Sequence, residues 1–203
     1  MNMKEHWDKA HAARRNREMS WHQQLPAISL RMIQESNMAK DAPLIDVGGG
    51  ASLLVDFLLE EGYQDITVLD VSGLALNKAR RRLGDQAVRV EWIEQDITCF
   101  EAERKYGLWH DRALFHFLTL SNERQKYIQA LRRSLQSGGQ LVISTFAIGG
   151  PTRCSGLDIV QYDAPKLLRE LGEEFTLLEQ EQVLHQTPAE QEQLFGFYRF
   201  IRH

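Results

Sequence analysis

With 203 residues, 43% hydrophobic and 26% charged, the chain has the length and composition of one globular domain, which excludes a disordered polymer, a collagen-like repeat and a small disulfide scaffold. Its formal net charge of −4 gives no overall positive field, so neither nucleic acid nor a membrane is expected as a partner. Cys99 and Cys154 are far apart and belong to no C-x-x-C or Cys/His spacing, so reduced thiols are expected. No apolar run approaches the ~20 residues of a membrane span, and the start MNMKEHWDKAHAARRNRE lacks the apolar stretch of a secretory signal. Glu5, Asp8 and Glu18 among its basic residues argue against a transit peptide, and a cytoplasmic location is the expectation.

From Asp41 onward, short β-rich runs alternate with helical patterns. The run PLIDV (43–47) is closed by Gly48, Gly49 and Gly50. Residues 52–61 are apolar almost all round, as in a helix buried against a sheet, and Gly62 stops them. ITVL (66–69) reads as a strand ending at Asp70; Ser72 then caps a helix with Leu76, Ala79 and Leu83 on one face. Arg80, Arg81 and Arg82 in its last turn read as a solvated face that complements the helix dipole.

VRVEWI (88–93) alternates like a strand and leads to Gln95 and Asp96, and GLW (107–109) is a fourth run ending at His110 and Asp111. Tyr127, Ile128, Leu131 and Leu135 form the stripe of a helix that Gly138 and Gly139 terminate, and LVISTF (141–146) is a strand apolar enough to be central. Asp163 caps a helix with Pro165 in its first turn, closed by Gly172. Residues 175–185 and 194–201 are two β-patterned runs joined by a polar turn around Pro188, the pattern of an antiparallel hairpin. The whole implies an α/β fold, a doubly wound, mostly parallel sheet with helices on both faces and one reversed strand.

In such a sheet a ligand sits beyond the carboxyl ends of the strands, where Asp46 and the glycine turn fall. Three glycines let the backbone turn sharply and approach a ligand closely. The dinucleotide pattern G-x-G-x-x-G would need glycine at position 53, and the residue is Leu53, which disfavours a pyrophosphate and leaves room for a smaller anion. Asp70 lies about 20 residues on, where an acid receives ribose hydroxyls. Asp96 is either a purine ligand or a loop cap.

On the motifs IDVGGGAS, TVLD, IEQDI, YGLWHDRALFHFL and LQSGGQLVIST and the closing hairpin, the chain resembles the class I S-adenosylmethionine (SAM)-dependent methyltransferases over residues 42–203. The resemblance implies a seven-stranded sheet in the order 3-2-1-4-5-7-6 with strand 7 antiparallel. It implies SAM as cofactor and S-adenosylhomocysteine (SAH) as product. Asp46, Gly48, Gly49 and Gly50 would lie at the methionyl part, Asp70 and Val71 at the ribose, and Asp96 and Ile97 at adenine. Ser52 departs from the glycine that many members have there. Residues 7–21 look like the N-terminal lid of a subset that includes small-molecule and elongation-factor lysine methyltransferases, with Trp21 stacked over the ligands or packing the lid onto the core. Residues 1–40 are then a lid and helix on a single domain spanning 41–203.

The fourth strand end faces the methyl group in this fold. Asp111 is a candidate acceptor for the methionine amine or a substrate proton, His116 a candidate base, and Arg112 a candidate clamp for an anionic substrate group. The bland alternative pairs Asp111 with Arg112. The N/D-P-P-Y/F signature is absent, which argues against amide or base nitrogens and leaves a small molecule or a protein lysine as acceptor. His110 and His116 with Cys154 or His185 show no ligand spacing, so no metal is expected. Residues 145–156 should wall the substrate pocket, with Arg153 and Cys154 either touching substrate or merely in the loop. Two other readings are a non-catalytic SAM-binding module and a nicotinamide oxidoreductase using Tyr162 and Lys166, although Asp163 and Pro165 put Tyr162 outside the helix. The expected state is monomer or homodimer.

Overall fold

The structure, a computed structural model, describes residues 2–13, 19, 21–187 and 192–203. Arg14, Arg15, Arg17 and the turn at Pro188 lie outside the described residues. Two helices, α1 (Met3–Ala13) and α2 (Ala27–Gln34), precede the alternation β1 (Leu44–Val47), α3 (Leu54–Glu60), β2 (Ile66–Asp70), α4 (Gly73–Leu83), β3 (Val90–Glu94), β4 (Tyr106–Arg112), α5 (Ser121–Ser134) and β5 (Leu135–Phe146). A two-residue pair, β6 (Arg153–Cys154) and β7 (Leu157–Asp158), leads to α6 (Ala164–Leu171) and the hairpin β8 (Phe175–Gln186) and β9 (Glu192–Arg202).

The seven-stranded sheet has the order β3-β2-β1-β4-β5-β9-β8, parallel from β3 to β5, with β9 antiparallel to both β5 and β8. With the small pair β6/β7 set aside, this is the expected order. All four residues of β1 are buried, because it lies between β2 and β4 with helices on both faces. Alternation along the strands sorts the core into two halves. Ile45, Val47, Trp109 and Ile143 face Tyr127, Leu131 and Leu167 of α5 and α6. Leu44, Val68, Leu108 and Val142 face Leu30, Ile33, Leu54 and Leu58 of α2 and α3.

Two helix starts follow their expected caps: the Ser72 hydroxyl accepts from the Ala75 N–H, and the Asp163 carboxylate accepts from the Lys166 N–H. Several boundaries differ; β3, for example, starts at Val90 rather than at Val88. Helix α5 stops at Ser134, and Leu135 starts β5 by pairing with Tyr106 rather than closing the helical stripe; Gly138, at φ +77°, turns the chain inside the strand. Strand β4 runs to Arg112, so His110, Asp111 and Arg112 obey strand alternation. Among the described residues no helix is long and apolar enough to cross a membrane.

Candidate active site

The ends of β1, β2 and β4 open into one large cavity, whose floor is the glycine turn after β1. A Cβ on Gly49 would stand 2.3 Å from Asp46 Oδ2 and 2.9 Å from Val68. Gly50 adopts φ +44°, and a Cβ there would stand 2.7 Å from Asp70 Oδ2. The turn therefore lies directly against two acids, an approach open only to residues without a side chain. Asp46 is buried, and its Oδ1 sits 2.6 Å from Nδ1 of His110, its register partner on β4; His110 Nε2 is 2.9 Å from the Ser29 hydroxyl on α2. Both ring nitrogens of His110 are thus engaged, and the network ties α2 to the cavity floor.

Asp70 lines the cavity and is otherwise enclosed. Burial pushes its pKa up to about 7; the charges of Asp46 and Asp8 add to the rise, and the Ser72 N–H, donating at 2.8 Å, opposes it. A carboxylate in this state is short of donors. Next to it Val71, Asp96, Ile97 and Thr98 line the same end. Asp96 uses Oδ1 for both the N–H and the hydroxyl of Thr98, each at 2.8 Å, so this acid is a loop cap and a cavity residue at once.

The other end of the cavity is lined by Gln23, Arg112, Ala113, His116, Phe117, Cys154, Gln193 and Phe195. Ala113 holds φ +69°, a left-handed conformation that costs a residue with a Cβ about 1 kcal/mol. Arg112 donates from Nη2 to the Trp21 carbonyl at 2.9 Å, and burial lowers its pKa only to about 10, so it stays cationic. His116 is fully buried, stacked on Phe146 at 4.8 Å, and its Nδ1 accepts the Phe146 N–H at 3.3 Å. Burial, with Arg112 nearby, pushes its pKa down to about 3. The imidazole is neutral, with its proton on Nε2.

Asp111 is placed differently from its neighbours. It is not among the lining residues. Its carboxylate accepts from the Leu114 and Phe115 N–H groups and, at 2.7 Å, from the Tyr127 hydroxyl on α5. Adjacent residues of a strand point to opposite faces, so the alternative pairing of Asp111 with Arg112 does not form.

The roof is aromatic. Trp7 of α1 meets Trp21 edge-on at 5.6 Å and Phe117 at 5.0 Å, and Trp21 also contacts His11. Helix α1 is fastened to the start of α4: Asp8 accepts from the Ser72 hydroxyl at 2.6 Å and from the Leu74 N–H at 3.4 Å, while Lys4 pairs with Asp8 and with Glu94. Trp21 both lines the cavity and packs on α1. Parts of the segment 7–21, at 14–18 and 20, lie outside the described residues.

Sequence reasoning missed Arg82. Rather than only facing solvent with Arg80 and Arg81, it donates to the Ala51 carbonyl at 3.1 Å, to the Ser52 carbonyl at 2.6 Å and to both oxygens of Asp56, clamping the exit of the glycine turn to α3. Its place in a run of three arginines concealed it. Tyr162 is buried in the core beneath the Lys166 ammonium, and neither lines the cavity. Arg153 pairs with Asp158 on the surface. Among the described residues no group of three or more His, Cys, Asp or Glu is placed to hold a metal ion.

Residues 44–139, the stretch from β1 into β5, match the model of the methyltransferase domain family. Malonyl-[acyl-carrier protein] O-methyltransferase of Anoxybacillus flavithermus is 30% identical over 105 residues, covering 51% of this chain and 38% of that protein. The eEF1A lysine and N-terminal methyltransferase of Bos taurus is 23% identical over 154 residues, covering 75% of this chain and 21% of that protein. The chain thus spans well under half the length of either relative. A SAM-dependent methyltransferase from Anabaena variabilis has the same fold, with a TM-score of 0.78 at 16% identity over 100% of this chain and 96% of that one. The chain has the fold of SAM-dependent methyltransferases, and its residues 44–139 are similar to the methyltransferase domain.

Proposed function

We infer that the chain is a SAM-dependent methyltransferase whose acceptor is a small molecule or a protein lysine. The observation that carries the reading is Asp70: a carboxyl enclosed at the cavity wall, its pKa pushed up to about 7, with Oδ2 against the glycine turn. Such a group seeks donors from a ligand, and a ribose supplies two hydroxyls. Asp96 Oδ2 and the Ile97 side chain suit an adenine amino group and ring edge, and Asp46 with the backbone of Gly48, Gly49 and Gly50 suits an aminoacyl group.

When bound there, SAM offers an electrophilic methyl group: the acceptor's lone pair forms the new bond while the carbon–sulfur bond breaks, its electrons staying on the sulfur of SAH. The chain's part is alignment and exclusion of water. Trp7, Trp21 and Phe117 close the cleft from above, and α1, fastened through Asp8, acts with Trp21 as its lid, while α2 packs on the core. Asp111 is a positioning residue, fixing the turn that carries Leu114 and Phe115. The relatives named above act on an acyl-carrier-protein-bound malonyl group and on eEF1A, and their names span both acceptor classes.

The test is calorimetric titration of the protein with SAM and SAH. Binding of both, lost or weakened at least tenfold in Asp70→Ala, supports the reading; no binding of either removes it. Release of SAH with a true acceptor separates an enzyme from a non-catalytic binding module, and titration with NAD separates an oxidoreductase.

A further inference from the structure

The acceptor end of the cleft contains two donors that the cofactor reading leaves unused. Arg112 is enclosed by protein except where it meets the cavity, and its one hydrogen bond among the described residues goes to the neutral Trp21 carbonyl. Among the described residues no carboxylate lies within ion-pair distance of its guanidinium; Asp46 is the acid whose charge reaches it from farther off. A half-buried guanidinium with most of its five N–H donors uncommitted among the described residues has those donors turned to the cavity, where a ligand can take them. His116, fully buried and lining the same end, has Nδ1 occupied by the Phe146 N–H, while Nε2 meets no partner. The occupied Nδ1 places the ring proton on Nε2, which makes that atom a donor rather than a base.

We propose that this end of the cleft binds a small carboxylic acid as methyl acceptor, its carboxylate held by the Arg112 fork and the His116 Nε2–H. A separate nucleophilic atom of the acid supplies the lone pair that takes the methyl group as the carbon–sulfur bond breaks toward sulfur, any proton on that atom leaving to solvent. The acceptor's role rests on the methyltransferase reading above; the anion site itself rests on Arg112 and His116. A planar carboxylate matches two parallel guanidinium N–H groups, and a charged pair is the strongest bond this wall can make. A lysine ammonium would stand beside the Arg112 cation, whose charge reaches as far as His22. Arg112, Gln23 and Phe195 line both the main cavity and a smaller one walled by Val183, Leu184, His185 and Phe197. That recess, which Gln186 also lines, is of mixed polar and apolar character and gives the body of the acid room once its carboxylate is seated.

Acetate, butyrate, glutarate, benzoate and phenylacetate, each against its amide, are titrated by calorimetry with and without saturating SAH. The expected result is at least one acid bound about tenfold or more tighter than its amide. That preference should vanish in Arg112→Gln, persist in part in Arg112→Lys, and fall in His116→Phe, which keeps the ring and loses the donor. Equal binding of every acid and its amide by the wild-type protein overturns the proposal, as does a preference that survives in folded Arg112→Gln. Should Arg112→Gln fail to fold, the wild-type contrast and His116→Phe decide. The SAH arm reads the methyltransferase inference separately: acid preference without SAH binding keeps the anion site and removes the cofactor, and the converse removes the anion site alone.

Discussion

Asp111 and Arg112 are consecutive residues of β4 whose side chains go to opposite faces of the sheet. The carboxylate meets Tyr127 on α5, and the guanidinium meets the Trp21 carbonyl above the cleft. One residue of register separates a group that holds the fold from a group that faces the cavity. The two substitutions should therefore behave differently.

Asp111→Asn should lower stability by roughly 1 to 3 kcal/mol, because a buried acceptor of two backbone N–H groups and a tyrosine hydroxyl is weakened. SAM affinity should change by less than about threefold, under roughly 0.7 kcal/mol. Denaturant unfolding and calorimetric titration of the same preparation check both halves; a stable protein that has lost SAM would return Asp111 to the cofactor.

The pH dependence of stability has a definite sign. Burial raises the carboxyl of Asp111 to about 6 and that of Asp70 to about 7, above the unfolded value of about 3.9. The folded state then holds protons that the unfolded state has released. Their contribution is fully present below about pH 4 and is lost as pH rises through about 6 and 7. Unfolding of the ligand-free protein from pH 4 to 8 should show this fall, flattened in part by Asp111→Asn and in part by Asp70→Asn. A slope unchanged in both variants would contradict it.

The strand order, the two caps at Ser72 and Asp163 and the closing hairpin were legible because each has a local cause: alternating apolar runs, a hydroxyl or carboxylate before a helix, and two β patterns with no helix between them. Less legible was the division of labour in 110–112, since the apolar run GLW stops at Trp109 and places His110 and Asp111 only at its end, whereas a strand that runs on to Arg112 imposes alternation on all three. Arg82 was hidden because a helix-terminal arginine cluster has the same sequence signature whether it faces water or reaches across to the carbonyls of 51 and 52. Leu135 fits both a helical stripe and the first position of a strand, and only the pairing with Tyr106 decides between them.

Arg82 and Arg81 make a matched pair for the clamp. Arg82→Ala should free the Ala51 and Ser52 carbonyls and Asp56, weakening SAM binding several-fold at a stability cost of about 1 kcal/mol. Arg81→Ala, an exposed residue of the same turn, should leave both within error. Titration and thermal unfolding of the two variants side by side test this, and equal effects would reduce Arg82 to a surface charge.

Helix α1 should exchange its amide hydrogens more slowly once SAM and an acceptor are bound, because closure keeps water from the reacting sulfonium. Asp8→Ala removes the link to Ser72 and Leu74 and should speed exchange across Met3–Ala13 without ligand. Equal protection in all states, wild type and variant, would make the segment a fixed part of the core.

The central claim, that Asp70 receives the ribose of SAM, is tested most directly by titrating SAM at pH 6.5 in buffers of different ionisation enthalpy. A carboxyl with a pKa of about 7 that accepts two hydroxyl protons in the complex must become ionised there. The account predicts release of a substantial fraction of a proton per SAM bound, seen as a heat that varies with the buffer, and its disappearance in Asp70→Asn together with at least tenfold weaker binding. Binding with no buffer-dependent heat, or an undiminished affinity in Asp70→Asn, would contradict it.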